Sequence, residues 1–210
     1  MSRYAVPVAT SEEPHTSEIL VRRSRFLASC ARASDVASAR AFVKSLRRCY
    51  PDATHNCWAY VAGPPGDTSR IGASDDGEPH GTAGRPMLNV LLCCGTGEIC
   101  MVVSRWFGGV KLGTSGLVRA YRYAARENLA GIALTERLPS VRCVASLAYA
   151  YLDGLYHILP RFEAKIITQE HQTTAKFQLE LPKSQCNAFK KALAGLTNGA
   201  AVFTISEKNF

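Results

Sequence analysis

Residues 141–206 read VRCVASLAYAYLDGLYHILPRFEAKIITQEHQTTAKFQLELPKSQCNAFKKALAGLTNGAAVFTIS. Alternating apolar positions mark VRCVASLAY as a strand, and LDGLYHILPRF has helical spacing. Strands KIITQEH and TAKFQLELP, helix SQCNAFKKALAGL and strand AAVFTIS complete the run. The order β-α-β-β-α-β in roughly 70 residues is the ferredoxin-like split βαβ unit. Such a unit buries its own core. The change of texture at Pro139 therefore predicts a separate C-terminal domain over residues 137–210.

Upstream of that boundary, a helix is expected from about Ser115 to Leu129. Leu117, Tyr121, Ala124, Ala125 and Asn128 form its inner face, and Arg119, Arg122 and Arg126 stand at i, i+3 and i+7 on another face. ICMVVS (99–104) reads as a short buried strand, and MLNVLLCC (87–94), led by Pro86, as a buried helix. NCWAYVA (56–62) reads as a strand. ASDVASARAFVKSLRRCYP (33–51) reads as a helix capped by Ser34 or Asp35, with Val36, Ala39, Val43, Leu46 and Tyr50 on one face and Pro51 as its stop. Ser17–Val21 and Arg25–Ala31 are two further strands, so an N-terminal α/β domain is expected over 17–136. Residues 1–16, with acids and prolines and no apolar segment of the kind a secretory signal needs, are expected to be a poorly ordered lead-in.

The apolar fraction of 47% allows a real core, and no apolar run approaches the roughly 20 residues that span a bilayer, so no membrane partner is expected. Net charge is +8, with 17 basic and 12 acidic residues up to Pro139 and 8 and 5 beyond it. That balance favours an anionic partner, but with no basic tail any anion site must be assembled by folding. The eight cysteines include no Cys-x-x-Cys pair, which predicts reduced thiols in the cytoplasm, used as small hydrophobes.

Two groups of residues carry candidate chemistry. The first is RWFGGVKLGTSGLVRAYR (105–122). Here a glycine-rich loop containing Gly108, Gly109, Lys111, Gly113 and Gly116 runs into a helix N-terminus, which presents free N–H groups and the positive end of the helix dipole to an anion. Arg105, Lys111, Arg119 and Arg122 would hold phosphate, and Trp106 and Phe107, if exposed, would stack on bases. Gly108 to Gly113 has Walker A spacing, but Thr114 replaces the lysine, so nucleotide hydrolysis is not indicated. The second group is the acidic loop Asp75, Asp76 and Glu78 with His55 and Cys57. It admits a metal-dependent or cysteine-based hydrolase or transferase. It admits equally helix capping and salt bridges to Arg25, Arg85 or Arg105. EF-hand and zinc-motif spacings are absent, and neither a metal nor another cofactor is expected.

RSRFLA (23–28), DATHNCWAY (52–60), SDDGEPHGTAG (74–84) and VVSRWFGGVKLGTSGLVRAY (102–121) together resemble the Impact family across most of residues 17–135. The tail resembles the C-terminal domain of bacterial two-domain members. The resemblance implies a domain of the ribosomal protein S5 domain 2-like type followed by a ferredoxin-like domain, a pair similar to domains IV and V of elongation factor G. Eukaryotic relatives restrain a translation-control kinase, but these residues show no resemblance to their RWD domain, so that role is not expected to transfer. What the resemblance carries over is therefore a surface for RNA or the ribosome. The expectation is a non-enzymatic, monomeric, cytoplasmic protein that binds RNA or the ribosome in translation regulation. A hydrolase or transferase and a protein-interaction module with a protein partner are the alternatives.

Overall fold

A computed structural model describes residues 3–171 and 173–206. The chain divides into two compact units, Tyr4–Arg137 and a second built from Leu138 onward.

The N-terminal unit contains β1 (Tyr4–Pro7), β2 (His15–Val21), β3 (Ser24–Arg32), α1 (Val36–Cys49), β4 (His55–Val61), β5 (Ile71–Ser74), α2 (Gly84–Cys93), β6 (Ile99–Trp106), α3 (Gly113–Gly131) and β7 (Leu134–Arg137). Five strands form an antiparallel sheet in the order β2-β3-β6-β4-β5. Successive side chains of a strand point to opposite faces, and here both faces are covered. Ile99, Met101 and Val103 join Met87 of α2 and Leu117, Tyr121 and Ala124 of α3 in one core, whereas Cys100 and Val102 meet Ala39, Phe42 and Leu46 of α1. Double burial is why β6 reads as an unbroken apolar run. Asp35 caps α1 reciprocally with Ser38: each side chain accepts from the other residue's backbone N–H.

Three features depart from the expectations above. Residues 4–7 of the supposed lead-in form β1, which pairs antiparallel with β7 from Tyr4↔Arg137 to Pro7↔Leu134 and buries Val6. The helix α2 begins two residues before Pro86 and is amphipathic, since Asn89 and Cys93 are exposed while Met87 and Leu91 are buried. The strand β5, only four residues long and without alternation, was not anticipated.

The turn joining β2 to β3 is a two-residue hairpin in which Arg22 and Arg23 have φ of 45° and 68°. Both fall in the left-handed region that such turns normally fill with Asn-Gly, and a residue with a Cβ is disfavoured there by about 1–2 kcal/mol.

The C-terminal unit contains β8 (Ser140–Leu147), α4 (Leu152–Ile158), β9 (Lys165–His171), β10 (Ala175–Pro182), α5 (Cys186–Leu196) and β11 (Val202–Ser206). Its antiparallel sheet runs β11-β8-β10-β9, so the first strand lies between the third and fourth, as in a ferredoxin-like unit. Cys143, Ala145, Phe177 and Leu179 on one sheet face pack against Leu155 of α4 and Phe189 and Leu193 of α5. The opposite residues Lys176 and Gln178 are exposed, which gives the strands their alternation.

Glu98 fastens the β1–β7 ribbon. It is 5% exposed and has φ of 50°; its carboxylate accepts from the Tyr4 hydroxyl at 2.8 Å and from Arg32 Nε at 2.8 Å, and Arg137 Nε lies 3.4 Å away. Burial, then the hydrogen bond to Glu98, push the Tyr4 phenol up from 10.0 to about 12. A phenol raised in the folded state stabilises fully below its unfolded value, and that share is lost as pH rises through the folded value. The ribbon's stability should therefore fall between pH 10 and about 12. Urea unfolding across that window, compared between the wild type and Tyr4→Phe, checks this: the variant should lose the Tyr4 share of the pH dependence and be less stable by about 0.5–1.5 kcal/mol at neutral pH.

Candidate functional site

The loop from Ser74 to Gly84 carries the chain's densest acids, and each turns toward a donor. Asp75 accepts backbone N–H bonds from Gly81 (2.8 Å), Ala83 (3.0 Å) and Gly84 (2.8 Å), so it caps α2 from outside the helix. Burial opposes its charge, but these three donors outweigh it and hold its carboxyl below the ordinary carboxylate range. Asp76 accepts from the Asn56 backbone at 2.7 Å and is ion-paired to Arg47. Glu78 is 8% exposed; one of its oxygens accepts from Arg105 Nη1 at 2.6 Å and from the Tyr121 hydroxyl at 2.7 Å, and the other lies 3.9 Å from His55 Nε2. These contacts give each of the loop's acids a partner within the protein. Of the capping and salt-bridge partners foreseen, Arg105 serves Glu78, and Arg47 is an addition.

His55 and Cys57 are beside this loop. His55 Nδ1 is 2.8 Å from the Asp76 carbonyl, which keeps the ring proton on Nδ1. The Cys57 thiol donates to the Asp75 carbonyl at 2.9 Å and lies 3.3 Å from the Tyr121 hydroxyl. Burial pushes the Cys57 thiol far above its ordinary value, so it is held as a thiol and not as a nucleophilic thiolate. The Tyr121 phenol is raised for the same first cause.

The basic and aromatic residues separate into two classes. Arg105, expected on an anion-binding loop, lies inside β6. It is 5% exposed and committed to Glu78, with Nη2 3.3 Å from Ser24 Oγ. Trp106 is also occupied. Arg25 sits 4.4 Å over its ring, Tyr50 meets it edge-on at 5.8 Å, and Nε1 donates to Asp52 at 2.9 Å. Phe107 is 48% exposed. The start of the loop is pinned: the Phe107 N–H donates to Thr54 Oγ1 at 3.1 Å and the Gly108 N–H to Ser24 Oγ at 3.3 Å. A Cβ at Gly108 would come within 2.0 Å of the Arg23 carbonyl oxygen, so glycine lets this loop lie against the β2–β3 turn. Gly109 and Gly113 have φ of 83° and 71° and carry the chain into α3.

The second class is exposed and unpaired. Among the described residues, Arg22, Arg23, Lys111, Arg119, Arg122 and Arg126 have no carboxylate partner, whereas Arg25, Arg32, Arg47, Arg70, Arg105 and Arg137 do. The first turn of α3 has neither a side-chain cap nor an acid, so its N–H groups keep their positive end open. Arg22 and Arg119 line one concavity of about 280 Å³, together with Gly116 and Tyr123. Arg122 and Arg126 line a groove of about 380 Å³ beside α2, with Asn89 and Cys93. The structure thus brings Arg119 of the predicted group together with Arg22 and Tyr123, which sequence reasoning did not single out. Their signal was present: Arg-Arg fills the gap between two strands where Asn or Gly belongs, and Tyr123 falls outside the apolar period of α3.

Residues 22–129 match the Impact N-terminal domain, and residues 146–200 match the Domain of unknown function (DUF1949). The IMPACT family member YigZ of Escherichia coli (strain K12) is 38% identical over 196 residues, covering 93% of each chain. The IMPACT family member of Haemophilus influenzae is 34% identical over 210 residues, covering 99% of this chain and 98% of that one. A crystal structure described as that of a hypothetical protein superposes with a TM-score of 0.71 at 36% identity over the whole of both chains.

Within the matched span the acidic loop can be tested by titration. A carboxyl lowered by folding stabilises above its unfolded pKa, about 3.9 for Asp, and loses that stabilisation as pH falls through the folded value. Asp75→Ala should cost about 1–2 kcal/mol at neutral pH, as a lost helix cap does. In urea titrations its stability should decline less steeply than the wild type's below about pH 4, because the group that titrates there is gone.

Proposed function

The chain belongs to the Impact family, and from that footing we propose that its N-terminal unit is an RNA-binding surface, engaging free or ribosomal RNA in the cytoplasm in the service of translation regulation and without acting on it chemically. The observation that carries this reading is the row of unpaired cations from the β2–β3 turn along α3. Six arginine and lysine side chains without ion-pair partners, against the single acid Glu127 on α3, hold a positive potential that an anionic polymer relieves, releasing its counterions as it binds. The open N-terminus of α3 adds N–H donors suited to phosphate. Among the described residues no helix is long and apolar enough to cross a membrane.

An enzymatic reading centred on His55, Cys57, Asp75, Asp76 and Glu78 has less support. The thiol is buried and protonated, Glu78 is neutralised by Arg105, and Asp75 and Asp76 are committed to backbone N–H groups and to Arg47.

Replacing Arg119 and Arg122 together by Gln keeps long helix-forming side chains and removes two charges from the exposed face. In fluorescence anisotropy across a salt series, the slope of log affinity against log salt should shrink by about 1.4–1.8, each lost phosphate contact removing roughly 0.7–0.9 of a released ion. The loss should be alike for different RNA sequences, since phosphate contacts position and do not specify. An unchanged slope with intact circular dichroism would move the site elsewhere. Co-sedimentation with ribosomes that survives nuclease and high salt would favour a protein partner instead.

A further inference from the structure

The concavity between the β2–β3 turn and α3 has a composition that a plain phosphate-binding face does not need. Its two cations come from different elements, Arg22 from the turn and Arg119 from the helix, and neither has a carboxylate partner among the described residues. Its walls also include the apolar Val21, Leu112 and Ala120 and the ring of Tyr123, which is 51% exposed. An apolar lining with a few converging polar groups is the signature of a pocket for an organic ligand, and here the polar groups call for an anion. The volume of about 280 Å³ lies just below the roughly 300–1,000 Å³ range of ligand sites, enough for a single small unit and too little for a dinucleotide cofactor.

Two backbone features keep this pocket in being. Arg22 and Arg23 hold left-handed conformations that Asn-Gly would adopt with less strain, and the residue so held is one that lines the pocket. Gly116 lies on the pocket side of α3, where a Cβ would come within 3.1 Å of Leu112 Cβ and a longer side chain would project into the opening.

We propose that this concavity seats one unstacked nucleotide of single-stranded RNA, with its phosphate between Arg22 and Arg119 and its base on the ring of Tyr123. The proposal rests on the RNA-binding reading and sharpens it. A nucleotide inside a duplex has both base faces stacked and cannot enter, so the pocket selects single strands over helices. Arg122 and Arg126, which line the neighbouring groove, serve the phosphates of either.

The test uses the full chain and fluorescence anisotropy at low salt with three ligands of equal length: a single-stranded RNA, its duplex, and a strand of abasic sugar-phosphates. The wild type should bind the single strand more tightly than the abasic strand or the duplex. Tyr123→Ala should lower single-strand affinity by about 5- to 150-fold, as the loss of one base–aromatic stack does, and leave duplex affinity unchanged. Tyr123→Phe should retain both affinities. Gly116→Leu, a good helix former that fills the mouth, should reproduce the single-strand loss. Equal wild-type affinity for the normal and abasic strands would overturn the pocket without reference to any variant. So would losses in the folded variants that fall equally on single strand and duplex, or no loss at all; in each case the broader RNA-binding reading would stand. Failure of the wild type to bind any of the three would overturn both.

Discussion

The carboxylate of Glu78 is the point on which the N-terminal unit turns. It receives Arg105 from β6 and Tyr121 from α3, and its own loop is fastened to α2 through Asp75. Removing either charge alone would leave the other buried, at a cost of about 3–5 kcal/mol, whereas replacing the whole group by well-packed apolar side chains would be close to neutral. Its value therefore lies in position more than in net stability. With Tyr121 drawn inward to Glu78, a helix of 3.6 residues per turn has no choice but to present Arg119 and Arg122 outward. The cationic face is thus oriented from inside the core.

The same economy governs the charges of the unit. Asp75, Asp76, Glu78 and Glu98 are all turned toward backbone amides or arginines. With those acids occupied, α3 keeps a single acid, Glu127, beside Arg119, Arg122 and Arg126, and its exposed surface is net positive. Such a surface acts within about a Debye length, roughly 8–10 Å at physiological ionic strength, and is accordingly sensitive to salt.

Legibility in the sequence followed the range of the interactions. The inner face of α3 was readable to the residue, because Leu117, Tyr121, Ala124, Ala125 and Asn128 recur with the period of the helix and all are buried. The alternation of β8 and β10 was readable because one sheet face is solvated. Arg105 was misplaced because its direction depends on a partner 27 positions away and on β6 continuing to Trp106, neither of which RWFGG displays. Cys93 was assigned to the interior on apolarity alone, although α2 has an outer side. The hairpin arginines escaped notice because turn chemistry predicts small residues there, and a pair that defies it carries no periodic signal. The strands β1 and β7 have little apolar pattern of their own; their pairing is made by backbone groups from opposite ends of the unit.

That last pairing has a consequence for how the chain is made. Tyr4 leaves the ribosome ahead of the rest of the unit, and its partner Arg137 is the last of the unit. At roughly 5–20 residues per second, β1 is without its partner strand for on the order of ten seconds after it emerges. Until Glu98 and then Arg137 arrive, Tyr4 and Val6 have no seat, and the rest of the sheet must assemble without them. The strand that opens the unit is thus the one that closes it, and the unit is complete only when its final strand has been synthesised.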